Sequence, residues 1–419
     1  MGVLKDLSIA ILIVVLFMLG IEWSLRAAGV NYDASFYRLD RELGYVHRPG
    51  ASGWNVKEHE NYVQISPQGL RDVEHALRRP AGVIRIAVVG DSFSEAREVP
   101  QDAAFWAVLE RELNRRMPPG GPRVEVVNFG VDGYGLAQEY LLIQHKIWEF
   151  DPQIVLLSGT LHSFVLHSSR KFHRVAAEGP VPFFEQRDGS LILDDISKRE
   201  QGSFVSPSRW SDWIADLSNS SRLLSLANVA RRRCTAGLAD LEQSLRGRAA
   251  AAAAPAGAED NNEREVLRGP VNADLADAWS IGEDLIRASN AEVTRRKAEF
   301  WVFLLDMSPQ VDPDSAQRER LAGLLGLPDL FVADRRFADF ASREKIPHET
   351  LAPEMLAFAE SHHVLLHGFK GRPRNSGHWN ETGHRLAGRL MAEKLSVCSR
   401  VLAGSATAPA TACNDWFSR

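Results

Sequence analysis

Three short turns in the chain hold the groups that acyl transfer needs. The first is Gly90-Asp91-Ser92-Phe93-Ser94, directly after an apolar run. It sets Ser92 at the start of a helix, where free N–H groups and the helix dipole favour developing negative charge. The same residues would also serve as a structural turn with a Ser or Asp N-cap. The second turn is Asn128-Phe129-Gly130-Val131-Asp132-Gly133-Tyr134-Gly135. Its glycines permit positive φ and close approach of backbone N–H groups to a substrate oxygen. It lacks the G-x-G-x-x-G register of a dinucleotide site. The third is Asn375-Ser376-Gly377-His378-Trp379-Asn380-Glu381-Thr382-Gly383-His384. Here His378 lies on a loop ahead of the last helix, where a serine nucleophile needs its base. His384 falls inside that helix and reads as structural.

The surrounding pattern explains how such turns could meet. Val83–Val89 is a β-branched run ending at Gly90, the signature of a buried parallel strand. Phe105, Leu109 and Leu113 recur at helical spacing on a helix closed by Pro118-Pro119-Gly120. Val124–Phe129 is a second strand, Leu136–Trp148 a second helix and Ile154–Leu157 a third strand. This alternation predicts an α/β fold, a parallel sheet with helices on both faces. Reactive groups of such sheets gather at the carboxyl ends of the strands. The alternation breaks over 171–275, which reads as an insertion with a hairpin at Asp188-Gly189, helical segments over 208–247 and a flexible stretch over 248–263. It resumes with a helix near 275–297, the strand Phe300–Leu305, Leu330–Val332, a helix near 351–361, the strand Val364–Leu366 and a helix from Gly383 to Val397. The expected organisation is an apolar helix over 1–30, a juxtamembrane segment over 31–80, the α/β domain over 81–400 and a tail over 401–419.

GDSFSEA after the first strand, VNFGVDGYG after the second and GHWNETGH before the last helix together resemble the SGNH (GDSL) hydrolase superfamily. The likeness is to membrane-anchored members associated with bacterial exopolysaccharide systems. Ser66-Pro67-Gln68-Gly69-Leu70-Arg71-Asp72 resembles the segment preceding the nucleophile in that group. No G-x-S-x-G elbow follows a comparable strand, which argues against the ordinary α/β-hydrolase fold. The resemblance implies a three-layer α/β/α, flavodoxin-like fold, with Ser92 as nucleophile and first oxyanion donor through its N–H. It implies the Gly133 N–H as second donor and His378 as general base. The family's third oxyanion donor is an Asn after the third strand. That stretch is Ser158-Gly159-Thr160-Leu161-His162-Ser163-Phe164 here, leaving the hydroxyl of Thr160 or Ser163 in its place. The family's acid lies two or three residues before the base, where this chain has Ser376 and Asn375. Ser376 is the expected stand-in, and Glu381 is the nearest carboxylate in sequence. A missing oxyanion donor costs about 10²–10³ in rate, and a missing triad carboxylate about 10⁴.

Leu7 to Ile21 is free of charge and preceded by Lys5. Continued to Val30, the helix would span a hydrocarbon core of about 30 Å; a cleaved signal peptide is the competing reading. Either one exports the rest of the chain, so the expected location is the inner membrane with the main domain outside the cytoplasm. The 419 residues are 45% hydrophobic and 25% charged, ordinary for a folded protein, and exclude a disordered or multi-span chain. With a net charge of −5 and no long basic run, nothing favours a nucleic-acid surface, and no nucleic-acid partner is expected. Cys234, Cys398 and Cys413 lack metal spacing; Cys398 and Cys413 could pair in an oxidising compartment or stay as buried thiols. No metal or cofactor is expected. The expected activity is ester chemistry on an acylated carbohydrate or lipid, with O-acetyl transfer or a non-catalytic carbohydrate-binding role as alternatives.

Overall fold

The computed structural model describes residues 2–172, 180–187, 189–194, 209–231 and 264–404. Its strands are β1 (Tyr37–Asp40), β2 (Gly44–His47), β3 (Ser52–Asn55), β4 (Asn61–Gln64), β5 (Val83–Gly90), β6 (Arg123–Asn128), β7 (Ile154–Thr160), β8 (Phe183–Arg187), β9 (Ser190–Asp194), β10 (Glu299–Leu305) and β11 (His348–Thr350). Its helices are α1 (Gly2–Ala27), α2 (Ser92–Glu95), α3 (Phe105–Arg116), α4 (Leu136–His145), α5 (Arg209–Ser220), α6 (Ala273–Arg295), α7 (Ser315–Leu325), α8 (Val332–Arg343), α9 (Ala352–His362) and α10 (Glu381–Cys398).

Five strands form one parallel sheet in the order β11-β10-β7-β5-β6. The inner strands β5, β7 and β10 are largely apolar on both faces, so helices must cover both. Ile84, Ile86 and Val88 of β5 pack with Phe105 and Leu109 of α3, Met355 of α9 and Met391 of α10. Ala87 and Val89 point the other way, towards Leu136 of α4, Leu285 of α6 and Phe337 of α8. The three-layer α/β/α arrangement is the expected one. Because β6 lies on one side of β5 and β7 on the other, the order in which successive strands are laid across the sheet reverses beside β5. The crevice at the carboxyl ends there is where ligands bind in open sheets.

Several elements differ from expectation. Helices α7 and α8 stand between β10 and β11, and residues 330–332 are the turn into α8 and its first residue. The edge strand is β11, pairing Val302 with His348, not the apolar run Val364–Leu366. Residues 364–366, of which Leu366 is buried, serve another purpose: the Leu366 carbonyl accepts from Asn380 N at 2.9 Å and the Leu365 carbonyl from Asn380 Nδ2 at 2.9 Å, which seats the N-cap of α10. β11 reads His-Glu-Thr, and its Glu349 is held by Lys394 at 2.6 Å, a polar edge that hydrophobicity does not reveal. The segment over 31–80 also carries structure, the antiparallel hairpins β1–β2 and β3–β4. The hairpin expected at Asp188-Gly189 is β8–β9, with Asp188 itself outside the described residues. The stretch 248–263, Cys234 and Cys413 also lie outside them; Cys398 is disulfide-bonded.

Within α1, the 23-residue segment Lys5–Ala27 contains an 18-residue window of mean hydropathy 2.3, none of it buried, long and apolar enough to cross a membrane.

Gly90 ends β5 in a gap too small for a side chain. A Cβ there would sit 2.3 Å from the Ser158 carbonyl oxygen and 2.4 Å from Ser94 Oγ. We expect Gly90→Ala to lower the unfolding free energy by about 1–3 kcal/mol through overpacking, read as a shift in urea midpoint. An unchanged midpoint would show that the turn relaxes freely.

Candidate active site

Ser92 begins α2 immediately beyond the end of β5. Asp91 caps that turn by accepting from Phe93 N at 2.9 Å. Asn128, at the end of β6, donates to the Ser94 carbonyl at 3.0 Å and to the Arg71 carbonyl at 3.2 Å, while its own N–H donates to Asp72 at 2.9 Å. The SPQGLRD segment and the second strand therefore brace the serine turn from behind.

His378 is delivered by the loop ahead of α10, as expected. Asp306, just beyond β10, faces His367 Nε2 at 2.6 Å and accepts from Trp379 Nε1 at 3.0 Å. The other nitrogen of His367 faces the Gly377 carbonyl at 2.8 Å. Both neighbours of His378 in the chain are thus tied to a buried frame, and its ring lands with Nε2 at 2.7 Å from Ser92 Oγ. His384 is buried, and burial pushes its pKa down to about 3, so it stays neutral and accepts from Phe105 N at 3.3 Å.

The group behind the imidazole is Glu58. One carboxylate oxygen lies 2.8 Å from His378 Nδ1 and the other accepts from His378 N at 2.9 Å. Ser376 does not occupy this position: its hydroxyl donates to the Pro373 carbonyl at 2.8 Å. Glu381 is exposed in the first turn of α10. Glu58 lies in the turn joining β3 to β4. That turn is held by Arg372, which donates to the Glu58 and Val56 carbonyls at 3.2 and 3.3 Å, and by Asn61, which donates to the Arg97 and Val99 carbonyls at 2.9 and 2.8 Å. His59 stacks on Phe369 with ring centroids 4.8 Å apart.

A second carboxylate, Glu98, is buried with its nearer oxygen 3.8 Å from His378 Nδ1. Its other oxygen makes no hydrogen bond among the described residues. Burial would lower the His378 pKa, but Glu98 and Glu58 outweigh it and push it up to about 10. Burial likewise raises the Glu58 carboxyl, yet its bonds to His378 hold it below the ordinary range, so it is ionised.

On the far side of the serine, Gly133 sits at φ 77°, a conformation strained for other residues. The Asp132 carbonyl accepts from Tyr45 Oη at 2.7 Å. In a trans peptide the N–H points opposite to the C=O, so this bond turns the Gly133 N–H away from Tyr45. Asp132 N donates to buried Glu95 at 2.5 Å, and Arg97 bonds the Asp132 carboxylate. Thr160 and Ser163 line the same cavity but are engaged locally. Ser163 Oγ donates to the Thr160 carbonyl at 3.0 Å and Ser163 N to Thr160 Oγ1 at 3.3 Å. The cavity has a volume of about 730 Å³ and its wall includes His162, His167, Arg264 and Met307. His162, on a π-turn at His162–Leu166, lies 4.3 Å ring to ring from His167.

No family model matches the chain, and no curated protein matches it. Solved structures do. An acetyl xylan esterase, AlAXEase, is 11% identical with a TM-score of 0.36, over 74% of this chain and 99% of the other. A putative lipolytic protein of the G-D-S-L family from Desulfitobacterium hafniense is 10% identical with a TM-score of 0.33, over 74% and 98%. A lipase/acylhydrolase from Enterococcus faecalis is 10% identical with a TM-score of 0.34, over 74% and 95%.

The electrostatics make a directional prediction. A base must be neutral to accept the serine proton, so kcat/KM for an ester should rise with pH as His378 deprotonates. Glu98→Gln removes one of the charges holding the proton on the ring and should move this limb to lower pH by about one unit or more. A limb at the same pH in both proteins would mean that Glu98 exerts no charge on the imidazole.

Proposed function

We propose that the chain is a serine ester hydrolase of the SGNH type, with Ser92, His378 and Glu58 as its triad. The observation that carries this reading is the continuous chain of contacts from Ser92 Oγ through both ring nitrogens of His378 to a carboxylate. A non-catalytic binding component has no need of a carboxylate aimed at Nδ1.

In this mechanism Ser92 Oγ attacks the ester carbonyl carbon while its proton passes to His378 Nε2. Glu58 stabilises the imidazolium and keeps the ring oriented. The carbonyl oxygen gains the negative charge and is held by the N–H groups of Ser92 and Gly133. Collapse breaks the bond to the leaving alcohol, which takes the proton from His378, and leaves an acyl group on Ser92. Water, or a sugar hydroxyl in the transferase variant, then attacks the acyl carbon and gives its proton to His378. Collapse breaks the acyl–Oγ bond, returns that proton to Ser92 and releases the acid or the new ester.

The substrate class we assign is an acyl ester of a carbohydrate or lipid outside the cytoplasm. α1 supports that location, holding the protein at the membrane as an uncleaved anchor.

A fluorophosphonate probe should label the wild-type protein at Ser92, and Ser92→Ala should abolish labelling while leaving the circular dichroism spectrum unchanged. Labelling that persists in Ser92→Ala, or a folded wild-type protein that resists the probe, would contradict the nucleophile assignment.

A further inference from the structure

Helix α5 is built inside out. Its polar residues face the protein: Asp216 accepts from Arg48 at 2.7 Å, and the Asp212 carbonyl accepts from Arg48 at 3.1 Å. Asn219 donates to the Ser35 and Ser52 carbonyls at 3.0 and 3.2 Å and accepts from Ser35 N at 2.9 Å. Its apolar residues lie on the opposite side. Trp210, Trp213, Ile214 and Leu217, spaced i, i+3, i+4 and i+7, are 68%, 52%, 49% and 43% exposed. Such a stripe is one face of a helix. A surface helix of a soluble domain would turn it inward, but here the inward face is already taken by charged and amide contacts.

The place of α5 in the fold says what covers this face. Its last residue, Ser220, accepts from Arg26 at the end of α1 at 2.7 Å. Glu22 of α1 accepts from Ser221 Oγ, Arg222 N and Leu223 N at 3.0, 3.0 and 2.9 Å, which caps the helix over 222–231. Both segments are therefore fastened to the α1 end that leaves the apolar span. Trp23 of α1 is also exposed there. A 12-residue helix reaches only about 18 Å, so the whole stripe stays near the membrane boundary, where Trp is favoured.

We infer that α5 is a second membrane contact, lying with Trp210, Trp213, Ile214 and Leu217 in the bilayer interface beside the α1 anchor. This inference rests on the reading of α1 as an anchor. Amphipathic helices bind such interfaces by burying an apolar face at the headgroup–acyl boundary. The polar face of α5 then carries the domain, including strand β3, whose turn into β4 bears Glu58. The catalytic head is thereby held close against the bilayer rather than swinging on a tether.

The test is photocrosslinking in the full chain, reconstituted in phosphatidylethanolamine–phosphatidylglycerol vesicles. p-Benzoylphenylalanine is placed singly at Trp213, Leu217, Phe17 in the anchor, or Leu324, an exposed position on α7. The expected result is a lipid adduct by intact mass at Phe17, Trp213 and Leu217, at yields several-fold above Leu324. Adducts at Phe17 alone, with Trp213 and Leu217 joined to a second copy or to another part of the chain, would overturn the inference while leaving the anchor intact. No adduct at Phe17 would remove the anchor reading and the inference together.

Discussion

The imidazole of His378 is held by residues that the chain supplies from far away, Ser92 at a separation of 286 residues and Glu58 at 320. The rest of the structure can be understood as what this arrangement requires. The parallel sheet brings the β5 turn and the loop before α10 to the same edge. The Asp306–His367 pair fixes the loop at Gly377, and the β3–β4 hairpin reaches over from outside the sheet to meet the ring. Two carboxylates near one imidazole also answer a stability question. A buried Glu98 with one unpaired oxygen is costly, and a protonated His378 nearby offsets that cost. The same proximity that settles the carboxylates raises the proton affinity of the base.

This arrangement links the chemistry to the amino-terminal segment. Ser52 at the start of β3 is bonded to Asn219 of α5, and α5 meets α1 through Arg26. The element that bears the acid is therefore continuous by hydrogen bonds with the helix proposed to enter the membrane. The site is completed by residues outside the α/β domain proper, so the sheet and its helices would hold the serine and the base without the carboxylate.

How much of this was legible in the chain depended on the range of the interactions. The strands ending at Gly90, Asn128 and Thr160 were visible because apolar residues on both faces of a strand leave a continuous run. Ser92 and His378 were visible because each sits at a turn between such a run and a helix. Glu58 was not, for it lies in the polar stretch Lys57-Glu58-His59-Glu60 of a hairpin too short to show a period. Only the three-dimensional path of the hairpin brings it to His378. Expecting Ser376 assumed that the acid must be local to the base; the loop instead spends that hydroxyl on its own Pro373 carbonyl. Tyr45 and Asp306 were hidden for the same reason, because a positioning residue is defined by what it touches. β11 was missed because its polar residues are paired with Lys394 and backbone, whereas the apolar Val364–Leu366 looked like a strand while serving as the seat of the α10 N-cap.

The central claim is that Glu58, not a residue of the His378 loop, stabilises the imidazolium. It is tested most directly by kcat for p-nitrophenyl acetate in Glu58→Gln and Ser376→Ala, each measured beside the wild-type protein. The account predicts a fall of about 10²–10⁴ for Glu58→Gln and a change within about twofold for Ser376→Ala, with both variants folded. Full activity in Glu58→Gln, or a comparable loss in Ser376→Ala, would contradict it.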